Sequence, residues 1–404
     1  MLSACLCVRL FTTFHYPPHP LSLSSMTLER RKLRRSIPSL QNLDSDLFYD
    51  IKRLFVFGRD GQAAFFITKK DHVYAYGNNN CGMLGLGTDH PIPENDPQLV
   101  TSLTRRKVIE FAAGRSHVLA LSKSGQLYSC GSNEFGQLGA SNYIQSSLPI
   151  LIESLRKEKI IAIACGAFHS LALTSRGIVF GWGFNFWGQL GLGGQRNENQ
   201  YEPVCLIALR KVNIIEIVCG QHHSVALSSR GDLYTWGHNA YGQLGIGEKV
   251  NYRNIPTKVI HSEEFTIKQV TCGQNHVLAV STDGMMLGFG SNYYGQLGTG
   301  SRRNESVPVA ICEEHKFKDI LSSPFSNTSL ARTKKKRNSL VFGKCGDHWL
   351  LDPIENPDPL APKNNNGESF VRINAATANT ALVKTRKNRF WYIFNFLKQK
   401  LLLQ

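Results

Sequence analysis

CGQHHSVALSSRGDLYTWGHNAYGQLGIG, residues 219–247, is written four times in this chain with small edits. Upstream stand AGRSHVLALSKSGQLYSCGSNEFGQLGAS from Ala113 and CGAFHSLALTSRGIVFGWGFNFWGQLGLG from Cys165; downstream stands CGQNHVLAVSTDGMMLGFGSNYYGQLGTG from Cys272. The histidines His117, His169, His223 and His276 lie 52, 54 and 53 residues apart, and Gln137, Gln189, Gln243 and Gln296 keep the same intervals. Pro97, Pro149, Pro203, Pro256 and Pro308 march in step. A fixed period of this size means one structural unit used repeatedly.

Each unit opens with a nearly unbroken run of apolar or small residues, such as His223-Ser224-Val225-Ala226-Leu227. A turn at Ser229-Arg230-Gly231 follows, then Leu233-Tyr234-Thr235-Trp236, which together read as an antiparallel hairpin. The first run lacks polar alternation, as a strand covered on both faces should. A glycine-dense loop comes next, and the segment around Pro256 suits an edge strand because proline cannot donate to a ladder. The unit is thus a small sheet of about four strands, and radial stacking of such sheets makes a β-propeller. The fold class is all-β; a solenoid is the alternative, but nothing helical of repeat length recurs.

The pattern C-G-x-x-H-S-x-A-L…G-x-L-Y-x-W-G-x-N-x-x-G-Q-L-G resembles the repeat of the regulator of chromosome condensation family. That resemblance implies a seven-bladed propeller over 51–391, strong over 108–316 and degenerate over 51–107, 317–351 and 368–391. The first unit, from Phe65 to Gly87, lacks the histidine. A decayed sixth, Ile320 to Gly343, carries Ser326 where the histidine is expected, and Ile373 to Trp391 supplies a weaker seventh. Ile51 to Gly58 is similar to the start of the subgroup that joins this propeller to a C-terminal BTB domain, although no segment of BTB length follows here. The family's founding activity, nucleotide exchange on a Ran-like small GTPase, is one function the resemblance implies; a chromatin-associated regulator is another. A non-enzymatic scaffold that binds a protein through one loop face is the favoured reading. The even 52–54 spacing leaves no room for a sizeable inserted wedge, and a fold alone does not give a function. A small GTPase or a ubiquitin-ligase component are the partner classes this brings into view, on a monomeric propeller.

Residues 1–50 read as a disordered basic leader, containing the run Arg30-Arg31-Lys32-Leu33-Arg34-Arg35, and 392–404 as an apolar tail. Lys334-Lys335-Lys336-Arg337 is a second basic run, and either run suits nuclear import or a nucleic-acid or chromatin contact. Formal charge is +16 over 404 residues, yet 108–300 hold 14 Lys/Arg against 12 Asp/Glu, so the surplus resides at the ends. No run approaches the ~20 apolar residues of a membrane span, and no membrane partner is expected. Ten cysteines without a C-x-x-C, and no convincing secretory signal, point to reduced thiols in cytosol or nucleus. A mitochondrial presequence is the weaker alternative, since 1–28 hold one arginine and a proline cluster.

Four histidines on a ring invite a metal, but ligand nitrogens must come within about 2.0–2.1 Å of one ion while packed sheets stand about 10 Å apart. We therefore expect His117, His169, His223 and His276 to be structural, bonding backbone near the inner strands. Gly136, Gly188, Gly242 and Gly295, which open the Gly-Gln-Leu-Gly turns, are structural by the same periodicity. No G-x-S-x-G, H-E-x-x-H, Walker loop or G-x-G-x-x-G occurs, so no catalytic, metal or cofactor site is expected. Trp182, Trp236 and Phe289 are expected in the core, and so are Phe135, Trp187, Tyr241 and Tyr294. The candidate contact residues are an arc of cations at like offsets beyond the repeated glutamine: Arg196, Lys249, Arg253, Arg302 and Arg303.

Overall fold

The computed structural model describes residues 43–57, 63–93, 95–195, 197–259, 265–334, 339–345, 348–356, 381–384 and 391–394. Among them six four-stranded antiparallel sheets follow one another, each a meander whose strands pair in chain order, together with a two-stranded hairpin. The architecture is the expected all-β propeller. The repeat motif supplies the second and third strands of each blade, for example His223–Ser228 and Leu233–His238. The outermost strands of the second to fifth blades, including Tyr252–Lys258, carry Pro149, Pro203, Pro256 and Pro308 at an edge where the missing N–H costs nothing.

The innermost strand precedes the motif and ends in its first residue: Val108–Ala113, Ile160–Cys165, Ile214–Cys219 and Ile267–Cys272. From the second blade to the sixth these strands pack each against the next, which places them around the axis. The histidine-bearing strands are buried along their whole length because a neighbouring blade covers each face. The core accordingly lies between blades. Trp182 sits in the seam between the second and third blades, Trp236 between third and fourth, and Phe289 between fourth and fifth, all fully buried as expected. Each side chain of this size contributes roughly 1.5–3 kcal/mol by leaving water. Phe325 of the sixth blade joins the same buried cluster as Phe65 and Val118, so the ring curls back on its first blades.

A belt of main-chain bonds runs around the axis from the second blade to the sixth, where each innermost strand turns into the second. Arg115 N–H donates to Ala167 O (3.0 Å), Ala167 to Gln221 O (2.9 Å), Gln221 to Gln274 O (3.1 Å) and Gln274 to Ser326 O (2.9 Å).

Three expectations need correction. The leader does not run to residue 50, because Ser45–Asp50 is a helix capped by Asp44 Oδ1 (2.9 Å from Asp46 N), with Leu43 and Phe48 buried. Nothing in the apolar spacing of so short a helix announces it. Ser326 does not hold the histidine place: Thr328 pairs with Gly343 as His276 pairs with Gly290, and Ser326 instead accepts the belt bond. The sixth blade also runs on to Asn356 rather than stopping at 351. Trp391–Phe394, which reaches into the expected apolar tail, pairs with Ala381–Lys384. Residues 1–42, with the first basic run, and 335–337 of the second lie outside the described residues, as does most of the seventh unit.

Candidate functional site

Consecutive residues of a strand point to opposite faces, so each histidine looks toward the following blade while the serine after it looks back. His117 Nε2 meets Ser170 Oγ (3.0 Å), His169 Nε2 meets Ser224 Oγ (3.0 Å) and His276 Nε2 meets Ser329 Oγ (2.8 Å). Each serine hydroxyl donates onward to a backbone carbonyl of the preceding blade: Ser170 to Gln137 O, Ser224 to Gln189 O and Ser329 to Gln296 O (3.0, 2.8 and 2.8 Å). With its one proton spent there, the hydroxyl can only accept from the ring, which fixes the Nε2–H tautomer. Trp182 and Trp236 add indole donors to the same Gln137 and Gln189 carbonyls (2.9 and 2.8 Å). His117, His169 and His276 thus bond a hydroxyl of the next blade, where backbone was the expected partner.

One seam departs from this scheme. Val277 stands where the third, fourth and sixth blades have a serine, and Phe289 where the third and fourth have a tryptophan, and neither ring nitrogen of His223 has a partner. Gln274 Nε2 donates to Gln221 Oε1 (2.9 Å) across that seam, a side-chain bond parallel to the belt.

The glutamines stiffen the loops after the third strands. Gln137, Gln189, Gln243 and Gln296 each accept at Oε1 from the amide two residues earlier, at 2.9 Å. The glycines between are at φ 80°, 71°, 79° and 75° for Gly136, Gly188, Gly242 and Gly295. At Gly188 the requirement is double, since an added Cβ would also collide with Asn254 of the next blade.

These loops share one rim with the turns that precede the histidines: Ser132 N–H donates to Ser116 O, Phe184 to Phe168 O and His238 to His222 O, at 2.8 to 2.9 Å. Here the expectation of core aromatics fails. Phe135 and Trp187 are only half-buried, Tyr241 is 43% exposed and Phe186 is 61% exposed. They join into a strip across three blades. Phe135 meets Phe168 and Phe184 (centroids 5.2 and 4.9 Å), Phe184 stacks on Phe186 (6.3 Å), Phe186 abuts Trp187 (4.8 Å), and Trp187 reaches His238 (4.7 Å), which meets Tyr241 (5.9 Å). Arg115 lies over Phe168 at 5.9 Å. Burial, then the nearby His238 and Arg115, pushes His222 down to about 4, and burial lowers His238 too. Both imidazoles are neutral at pH 7 and belong to the apolar strip.

The strip has a visible cost. Gln137 donates to Ser132 Oγ (3.2 Å), Gln243 to His238 Nδ1 (2.8 Å) and Gln296 to Ser291 Oγ (3.2 Å). At the third blade Phe184 replaces the acceptor, and Gln189 Nε2 is buried without a partner. The run Phe184-Asn185-Phe186-Trp187 was the available signal, readable only as a departure from the other three units.

Of the five cations expected to form an arc, Lys249, Arg302 and Arg303 stand on loops of this rim and Arg253 in the outermost strand Tyr252–Lys258. Lys249, Arg302 and Arg303 are exposed, Arg253 is ion-paired with Glu248, and Arg196 lies outside the described residues. Among the described residues no three His, Cys, Asp or Glu side chains gather as metal ligands, and no helix is long and apolar enough to cross a membrane.

A family model described as the RCC1-like domain matches residues 59–382. Over 322 residues the chain is 30% identical to the ultraviolet-B receptor UVR8 of Arabidopsis thaliana, spanning 79% of this chain and 72% of that one. Over 217 residues it is 38% identical to the probable E3 ubiquitin-protein ligase HERC4 of Rattus norvegicus, 53% of this chain but 20% of the ligase. The chain thus spans about a fifth of that relative's length. In three dimensions it resembles Prp20p of Saccharomyces cerevisiae, with TM-score 0.62 and 23% identity over 76% of each chain.

Proposed function

We propose, from the premise that this chain belongs to the RCC1-like domain family, that it is a non-catalytic propeller scaffold which holds a protein partner on its aromatic rim. One observation carries the reading: at Phe184 the third blade forgoes a buried hydrogen bond that the second, fourth and fifth blades make, and gains an exposed aromatic run. A buried amide left unpaired costs about 1–3 kcal/mol, which folding alone does not reward. Aromatic side chains and arginine are the residues that dominate protein interfaces. Phe186, Trp187 and Tyr241 with Arg115 supply that composition on loops held by a rigid ring. Lys249, Arg302 and Arg303, exposed on loops of the same rim, would select a partner with acidic groups around an apolar centre. No catalytic residue is assigned.

The test compares the full chain with Phe186→Ser/Tyr241→Ser and with Lys249→Glu/Arg302→Glu, all confirmed folded by thermal melting. Proteins captured from lysate are quantified by mass spectrometry. The reading expects the serine variant to lose its specific partners by about tenfold or more, two lost hot-spot aromatics being worth at least that, and the glutamate variant to bind more slowly and less salt-dependently. Partners retained in full by the serine variant would overturn it. Accelerated nucleotide release from a purified Ran-like GTPase would replace the scaffold reading by exchange.

A further inference from the structure

The opposite end of the propeller has a different chemistry, independent of the aromatic rim. There the hairpin turns between second and third strands meet the segments that link one blade to the next. Lys123 N–H donates to Lys107 O (2.9 Å), Ser175 to Lys159 O (2.9 Å) and Ser229 to Asn213 O (2.8 Å), so turn and link form one level in each of three successive blades. In those blades the turns and links at 101–107, 123–126, 152–159, 175–178, 206–213 and 229–232 carry eleven Lys/Arg against three Asp/Glu. The loops at the aromatic end of the same blades, 114–116, 132–145, 166–168, 184–199, 220–222 and 239–251, carry three of each. The near-neutral total over 108–300 therefore conceals a strong division between the two ends.

Each of the three carboxylates is already engaged: Glu153 with Arg156 (3.6 Å), Glu158 with Arg176 (2.7 Å) and Asp232 with Lys258 (3.2 Å). Lys107, Lys123, Lys157, Lys159, Arg210 and Lys211 are exposed and make no ion pair among the described residues. Amid them stands Ile207, 77% exposed, on the short helical turn Ile207–Leu209. Leu206 and Leu209 anchor that turn in the core, whereas Ile207 does nothing for the fold; the second blade has Glu153 at the same place. Ile161 and Ile215, second in their innermost strands and therefore near the same end, are 44% and 51% exposed. No exposed large aromatic stands on these turns and links.

We infer that this end of the propeller docks on the surface of an anionic phospholipid bilayer, its cations against lipid phosphates and carboxylates and Ile207 inserted among the headgroups. Three features favour a bilayer over a nucleic acid. Phosphate tracking uses cations and polar groups and is indifferent to an exposed isoleucine, whereas interfacial binding gains from both. Stacking of single-stranded bases needs aromatic platforms, which this end lacks. Links built alike in successive blades stand level, which suits a plane better than the groove of a duplex. The contact is peripheral and requires no spanning segment.

The full chain would be floated with vesicles of phosphatidylcholine alone and with about 30% phosphatidylserine, across a salt series. The test variants are Lys157→Glu/Lys211→Glu and Ile207→Ser, all at exposed positions that leave the core intact. Binding is expected to the anionic vesicles only, to weaken with salt, and to fall about tenfold or more in the charge variant and several-fold in Ile207→Ser. Absence of vesicle binding would overturn the inference. So would tight binding of a duplex of about 30 base pairs that the charge variant loses and Ile207→Ser keeps, which would make the end a nucleic-acid surface.

Discussion

At the scale of single residues, the four buried histidines make the fold acid-sensitive. Burial pushes His117, His223 and His276 down to about 3 from an ordinary 6.5, and holds His169 well below its ordinary value. The folded chain keeps these rings neutral while the unfolded chain protonates them, so between pH 6.5 and about 3 the unfolded state binds more protons and stability falls as pH falls. Each ring contributes a slope of about 1.4 kcal/mol per pH unit, and four acting together would exhaust a stability of about 5–15 kcal/mol near pH 4–5. Guanidinium midpoints measured from pH 7 down to 4 should show this steep loss, and one buried histidine fewer should flatten it by about a quarter. The rings are not equivalent. His169→Leu strips Ser224 of its donor and should cost about 1–3 kcal/mol, whereas His223→Leu removes two unpartnered nitrogens and should be near neutral or stabilising. Equal losses at the two sites in chemical denaturation would contradict this account.

At the scale of the blade, the seam between the fourth and fifth is the one to repair. Val277→Ser restores a hydroxyl between His223 Nε2 and the Gln243 carbonyl, but gives up a buried isopropyl group worth about 1–2 kcal/mol. The net change should be small, and the informative quantity is the coupling. In a double-mutant cycle with His223→Leu, the serine should be worth about 1–3 kcal/mol more when the imidazole is present. Zero coupling would mean that the ring and the new hydroxyl do not meet. The blade itself was legible in the primary structure, because a 52–54 residue period with a glycine turn and a displaced proline leaves few alternatives to a four-stranded meander. The seam was not. Which hydroxyl answers His169 depends on Ser224, 55 residues away and on another sheet. Phe135, Trp187, Tyr241 and Tyr294 were misread as core because their periodicity is genuine but reports loop position, not burial.

At the scale of the whole molecule, the division of charge was hidden by the meander. Cations at 105–107, 123, 156, 157, 159, 176, 210–211 and 230 look scattered along the chain, and alternate segments return to the same end only once the strands are folded. The belt around the axis should behave as one unit: the amides of Ala167, Gln221 and Gln274 are expected to exchange only on global unfolding. Native-state hydrogen exchange would place their opening energies within about 1 kcal/mol of the global value, and a much lower value at any of them would reveal a local break. Every bond of that belt runs in the same sense, from the amide of one blade to the carbonyl of the next. A blade therefore has a plug on one side and a socket on the other, identical in type from blade to blade. A stretch of gene encoding one unit can be copied or lost and the joints on either side still match, so such a ring can change its number of blades in one genetic event without inventing a new interface.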